Sequence, residues 1–121
     1  MKILIVESRL ELGCLWQRHL ERQSCDIVLA SGQTEAIEAL SRSDFQVIIL
    51  DVVLDEGDAL AVANFAHFRR PQARVIFVTN TSFFSDGSIF NLVPNAAGFL
   101  QSETPPEDLA AVVEYHGTHV R

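Results

Sequence analysis

Phe45-Gln46-Val47-Ile48-Ile49-Leu50-Asp51 decides how this chain folds: four consecutive apolar residues, three of them β-branched, run straight into a carboxylate. A run this short and apolar at every position reads as a strand buried on both faces. Runs of the same kind occupy residues 3–6, 27–30 and 75–78, and Gly98-Phe99-Leu100 is a shorter fifth. Helical patterns lie between them. Leu12, Leu15, Trp16 and Leu20 share one face in the first, Ala36, Ile37 and Leu40 in the second. Leu60, Phe65 and Phe68 mark a third that stops before Pro71. Thr104-Pro105-Pro106-Glu107 is a capping box for a last helix with Leu109, Val112 and Val113 on its apolar face and Gly117 as its stop. Five strands alternating with helices imply an α/β domain: one parallel sheet covered by helices on both faces.

With 121 residues, 48% of them apolar, the chain has room for one domain over residues 1–121 and no attached output module. Its net charge is −7, and of nine basic residues eight are arginine and only Lys2 is lysine. Clustered basic surface is what phosphate contacts require, so a generic nucleic-acid binder is excluded. Cys14 and Cys25 show no metal or redox spacing and read as reduced thiols. The amino-terminal apolar run is too short for a signal peptide, and no stretch approaches the ~20 apolar residues of a membrane span, so a cytoplasmic, membrane-free protein is expected. His19, His67, His116 and His119 lack ligand spacing, and Asp51-Val52-Val53-Leu54-Asp55-Glu56-Gly57 lacks the alternation of a calcium loop. No phosphate-cradling glycine motif is present, which disfavours a nucleotide enzyme.

In parallel α/β sheets ligands bind outside the carboxyl ends of the strands, where strand order reverses. The residues at those ends are Glu7 and Ser8, Asp51, Thr79, and Gln101 with Ser102. Two carboxylates at neighbouring strand ends attract a hard divalent cation, and either can serve as a nucleophile. A hydroxyl such as that of Thr79 can hydrogen-bond a phosphoryl oxygen placed between them. Each residue alone could simply cap a strand end, but three polar groups converging on one edge favour a site.

These blocks resemble the receiver domain of bacterial two-component response regulators, a flavodoxin-like fold with strand order 2-1-3-4-5. Lys2-Ile3-Leu4-Ile5-Val6-Glu7 resembles its opening strand and Gly32-Gln33-Thr34-Glu35-Ala36-Ile37 its second helix. The run ending in Asp51 resembles the strand bearing the phosphoacceptor. Asp58-Ala59-Leu60, Val75-Ile76-Phe77-Val78-Thr79-Asn80 and Ala96-Ala97-Gly98-Phe99-Leu100 follow in order. The resemblance implies Asp51 as phosphoacceptor, Thr79 as switch hydroxyl and Phe99 as switch aromatic. It further implies Mg²⁺ held by Glu7, Asp51 and the backbone carbonyl of Val53, with in-line phosphoryl transfer from a histidine kinase or phosphotransfer protein.

The departures matter as much. Where the family has a second acid this chain has Ser8, a weak ligand that leaves Mg²⁺ binding possible but feeble. Ser8-Arg9-Leu10-Glu11 also reads as a capping box for the first helix, and this reading is preferred. Where the family has its phosphate-clamping lysine this chain has Ser102, and with Lys2 at the opposite edge no other lysine exists to replace it. Losing an acid together with the lysine keeps the pocket's charge near that of the family. Arg9 is either a substitute cation swinging over Asp51 or, as preferred, a solvated residue of the first helical turn. If it substitutes, Arg9→Ala loses affinity for phosphate mimics.

Thr81-Ser82-Phe83-Phe84-Ser85-Asp86-Gly87-Ser88 is a poor helix, so the fourth helix is expected to be short or irregular, over residues 88–93. Phe83 and Phe84 are either a docking patch on the partner face or a filler for the space the shortened helix leaves. The expected function is that of an atypical, pseudo-receiver-like domain, not an enzyme beyond any phosphoryl acceptance at Asp51. It would signal through contact with a histidine kinase, phosphotransfer protein or downstream effector, with weak or no dependence on phosphorylation. A homodimer through the face of the fourth helix, fifth strand and last helix is compatible with this. The alternatives are a working Mg²⁺-dependent phosphoacceptor at Asp51 and a flavodoxin-like module for another ligand.

Overall fold

The structure is a computed structural model that describes residues 1–79 and 96–118. Five strands, β1 (Lys2–Val6), β2 (Asp26–Ala30), β3 (Val47–Asp51), β4 (Arg74–Thr79) and β5 (Ala96–Gln101), form one sheet in the order β2-β1-β3-β4-β5. Every neighbouring pair is parallel. Four helices are among the described residues: α1 (Leu10–Glu21), α2 (Gln33–Arg42), α3 (Ala59–Arg69) and α4 (Pro106–Thr118). The short helix expected over residues 88–93, together with Phe83 and Phe84, lies outside the described residues.

Alternation along the strands splits the core into two layers. Leu4, Val6, Ile48, Leu50, Val75 and Phe77 face α2 and α3, while Ile3, Ile5, Val47, Ile49, Ile76 and Val78 face α1 and α4. Both faces being covered is why the central runs are apolar at every position. The edge strands differ from that expectation: β2 is buried fully only at Ala30, and β5 is half-buried throughout.

The large apolar residues of the helices are placed less simply than their spacing predicts. In α1 the buried positions are Gly13, Trp16 and Leu20, while Leu15 is exposed. In α3 the buried stripe is Ala59, Val62, Ala63 and Ala66, and Phe68 is 81% exposed. A stripe of small residues lets α3 lie close to the sheet, and the aromatics of the same helix fall on its flanks and outer face. The last helix starts at Pro106, one place later than a Thr104 cap implies, and it continues through Gly117 to Thr118. Of its expected face Leu109 and Val113 are buried, joined by Ala110, while Val112 is partly buried.

Candidate functional site

The switch in strand order lies between β1 and β3, and the acids stand at the sheet's carboxyl edge there, Glu7 just past β1 and Asp51 as the last residue of β3. Val6 pairs with Leu50, so Glu7 leaves β1 directly beside Asp51. Asp51 pairs with Val78, which places Thr79 one residue beyond it on β4. Glu7, Asp51, Thr79 and Ser102 are all buried. The sequence-derived convergence is therefore present, and its centre is a cleft of about 130 Å³ lined by Glu7, Ser8, Arg9, Asp51, Val53 and Asp55.

Asp51 Oδ1 accepts the backbone N–H of Val53 at 2.9 Å. Glu7 Oε2 accepts the backbone N–H of Arg9 at 2.9 Å, whereas Glu7 Oε1 is buried with no donor. Burial pushes the Glu7 carboxyl up to about 7, with the neighbouring Asp51 adding to the rise and the Arg9 backbone N–H opposing it.

Arg9 is brought into the site, contrary to the preferred reading of a solvated side chain. Its guanidinium Nε lies 3.4 Å from Glu7 Oε2, and one terminal nitrogen lies 3.4 Å from Asp51 Oδ2. The same nitrogen donates to Ser102 Oγ at 3.0 Å. The side chain is still 46% exposed, so it spans the cleft from the solvent side. Ser102 is fixed in turn, because its backbone N–H donates to the Thr79 carbonyl at 2.7 Å.

The capping role expected of Ser8 is corrected by the structure. Arg9 occupies the N-cap of α1 with no side-chain cap bond. Ser8 Oγ instead donates to the Ser31 carbonyl at 2.7 Å and accepts the Asp55 N–H at 2.9 Å, tying together the loops after β1, β2 and β3. Tertiary partners outcompeted the local helix start. These bonds also take Ser8 away from the role of a metal ligand.

A second set of contacts was not legible in the sequence. Glu56, in the loop after β3, accepts the backbone N–H of Thr34 at 2.9 Å and its hydroxyl at 3.0 Å. Gln33 Oε1 accepts the Asp58 N–H at 2.8 Å. The loop that carries Val53 is thereby fastened to the start of α2. Gly57 stands at φ 86°, where any Cβ would collide with the Gln33 side chain. The one available signal was that α2 opens at Gly32 with no side-chain cap of its own, so its amide groups needed an acceptor from elsewhere.

Mg²⁺ is the group the resemblance implies, and the donors suit it poorly. Among the described residues no group of three or more His, Cys, Asp or Glu side chains is placed to hold a metal. Of the four oxygens of Glu7 and Asp51, only Glu7 Oε1 is without a contact, and the Arg9 guanidinium already bridges the pair. A hard octahedral ion bound through one or two carboxylates needs those oxygens open. Phe99 is half-buried against the core layer of α2 and α3. The proposed dimer face includes residues outside the described ones. No helix of the described residues is long and apolar enough to cross a membrane.

Comparison with known proteins places the chain in a family. The response regulator receiver domain family matches residues 3–114. A curated relative, the response regulator protein PilR of Pseudomonas aeruginosa, is 31% identical over 120 residues, which are 99% of this chain and 26% of that protein. The chain thus spans about a quarter of the length of this relative. A CheY-like receiver domain protein from Methanospirillum hungatei superposes with a TM-score of 0.87 at 21% identity, over 97% of this chain and 93% of that one. The non-phosphorylated HemR receiver domain of Leptospira biflexa gives 0.87 at 21%, over 99% and 96%. A Burkholderia pseudomallei response regulator, solved with a phosphorylated aspartic acid, calcium ion and citrate, gives 0.83 at 19%, over 97% and 68%. At these identities the structures bear on the fold alone.

Proposed function

The chain belongs to the response regulator receiver domain family of two-component signalling, and from that premise we propose that it acts by protein–protein contact with little or no dependence on phosphorylation. One observation carries the reading: the Arg9 guanidinium spans Glu7, Asp51 and Ser102, so the acceptor pocket already holds its own cation. Three further features support it. No lysine is available to clamp a phosphoryl group, Ser8 is engaged between loops, and the open donors for Mg²⁺ are few. The partners are a histidine kinase, a phosphotransfer protein or a downstream effector, met through the protein surface.

A second reading has a specific observation in its favour. Asp51 is buried at a strand end, with Thr79 one residue past its paired neighbour on β4, so nucleophile and hydroxyl are both retained. Asp51 would attack the phosphorus of a phosphohistidine while the N–P bond breaks and the imidazole takes up a proton. Positioning and charge neutralisation supply most of the catalysis in such transfers. Here Arg9 is the positive group at hand.

Beryllofluoride, which mimics a phosphoryl group on a carboxylate, separates the two. Amide ¹H–¹⁵N spectra recorded with Mg²⁺, with and without beryllofluoride, are expected to be nearly superimposable. Shifts saturating at stoichiometric beryllofluoride in wild type, and absent in Asp51→Asn, would establish the acceptor reading instead.

A further inference from the structure

On the reading that this pocket is a receiver's acceptor site, we propose that Arg9, seated on Ser102, is a built-in countercation standing in for a divalent ion between Glu7 and Asp51, and that its removal opens the pair to a hard divalent cation. The guanidinium bridges one oxygen of each carboxyl group, which is the position a shared cation takes. Its shortest contact is not to an acid but to Ser102 Oγ, at 3.0 Å. Ser102 is 7% exposed and anchored to Thr79, so it is a firm seat for a long side chain that otherwise reaches in from solvent. Ser102 occupies the place where the family resemblance puts a lysine. The cation that position has lost is supplied from the opposite side of the cleft, and Ser102 is its positioning residue.

An independent observation points to a ligand of the same charge. Glu7 Oε1 is buried without a hydrogen-bond partner, and Glu7 lines the cleft together with Asp51. Arg9 satisfies Oε2 and leaves Oε1 unpaired, so the pair keeps one oxygen uncommitted to the guanidinium. Both guanidinium contacts to the acids, at 3.4 Å, are long for charge-assisted hydrogen bonds, which run at about 2.7–2.9 Å. A half-exposed group held at such distances competes with a divalent ion by a modest factor.

The test uses Mg²⁺ alone, titrated into the intact chain and followed by calorimetry and by the amide resonance of Val53, whose N–H binds Asp51 Oδ1. Wild type is expected to bind weakly. Arg9→Ala and Arg9→Gln should each gain affinity by about tenfold, the scale of removing one partly exposed competing charge. Ser102→Ala, which keeps the charge but removes its seat, should gain about threefold, the smaller change expected of a partly exposed ion pair that is loosened rather than removed. Arg9→Lys, with its charge retained, should bind little better than wild type. Asp51→Asn added to Arg9→Ala should abolish the gain. Thermal melts report folding of each variant, and Arg9→Gln keeps a polar side chain of similar length should Arg9→Ala unfold. Unchanged or lower affinity in both Arg9→Ala and Arg9→Gln would overturn the proposal, as would a gain that survives Asp51→Asn. Stoichiometric phosphorylation of wild type would count against the functional reading without touching this one, because Mg²⁺ affinity is read without any phosphoryl donor.

Discussion

Glu7 shows how one residue takes its character from the fold. In the sequence it is the acid that ends an apolar run, and that was enough to place it at the site. Its chemistry comes from burial beside Asp51, which lifts its carboxyl from 4.5 to about 7. The folded protein therefore binds a proton here that the unfolded chain has already released. That contribution to stability is complete below about pH 4.5 and is lost as the pH rises through about 7. Glu7→Gln has no such loss. In metal-free buffer its stability relative to wild type should rise across this range by on the order of 1 kcal/mol or more, measured by urea unfolding at several pH values. A difference independent of pH would show that Glu7 is not held near neutrality. Ser8 and Arg9 were less legible than Glu7 because both carry ordinary local roles, a cap and a solvated first-turn residue. Each is instead recruited by groups distant in sequence: Ser31 and Asp55 for Ser8, Asp51 and Ser102 for Arg9.

The elements were legible in inverse proportion to their reliance on small residues. Strands made of valine, isoleucine and leucine announced themselves, and β3 is buried at every position as its run implies. In α3 the pattern of large apolar residues pointed to Phe68, but the sheet takes the alanine stripe. Spacing rules weigh side chains by hydrophobicity and cannot sense how closely a helix approaches its sheet. Ala63, fully buried in that stripe, should not tolerate enlargement. Ala63→Leu is expected to cost about 1–3 kcal/mol by overpacking. Phe68→Ser should stay within about 0.5 kcal/mol of wild type, as exposed substitutions do. Thermal or urea denaturation of the two variants distinguishes the faces directly, and the reverse ranking would contradict the packing described. The start of α2 makes the same point for polar groups. Its acceptor, Glu56, comes from another loop, and no local signature in Gly32-Gln33-Thr34 names it.

Across the whole molecule, the uneven split of basic residues into eight arginines and one lysine turned out to describe the site. Lys2 begins β1 at the edge opposite Asp51, with its ammonium 5.6 Å from the centre of the Phe45 ring. The absence of a clamping lysine could therefore be read from composition alone. The proposed replacement of that charge by Arg9 could not, since it depends on Glu7, Asp51 and Ser102 meeting from three separate strand ends. The architecture makes that meeting possible: a strand order that reverses between β1 and β3 leaves a cleft at the carboxyl edge, lined by residues at and just past the ends of these two strands. The central claim is that this cleft is charge-compensated from within and does not depend on a phosphoryl group. Its most direct test is the intact mass of wild type and Asp51→Asn after incubation with Mg²⁺ and a small acyl-phosphate donor. The account expects no phosphoryl adduct, or only a trace, on either protein. A stoichiometric adduct on wild type that is missing from Asp51→Asn would contradict it.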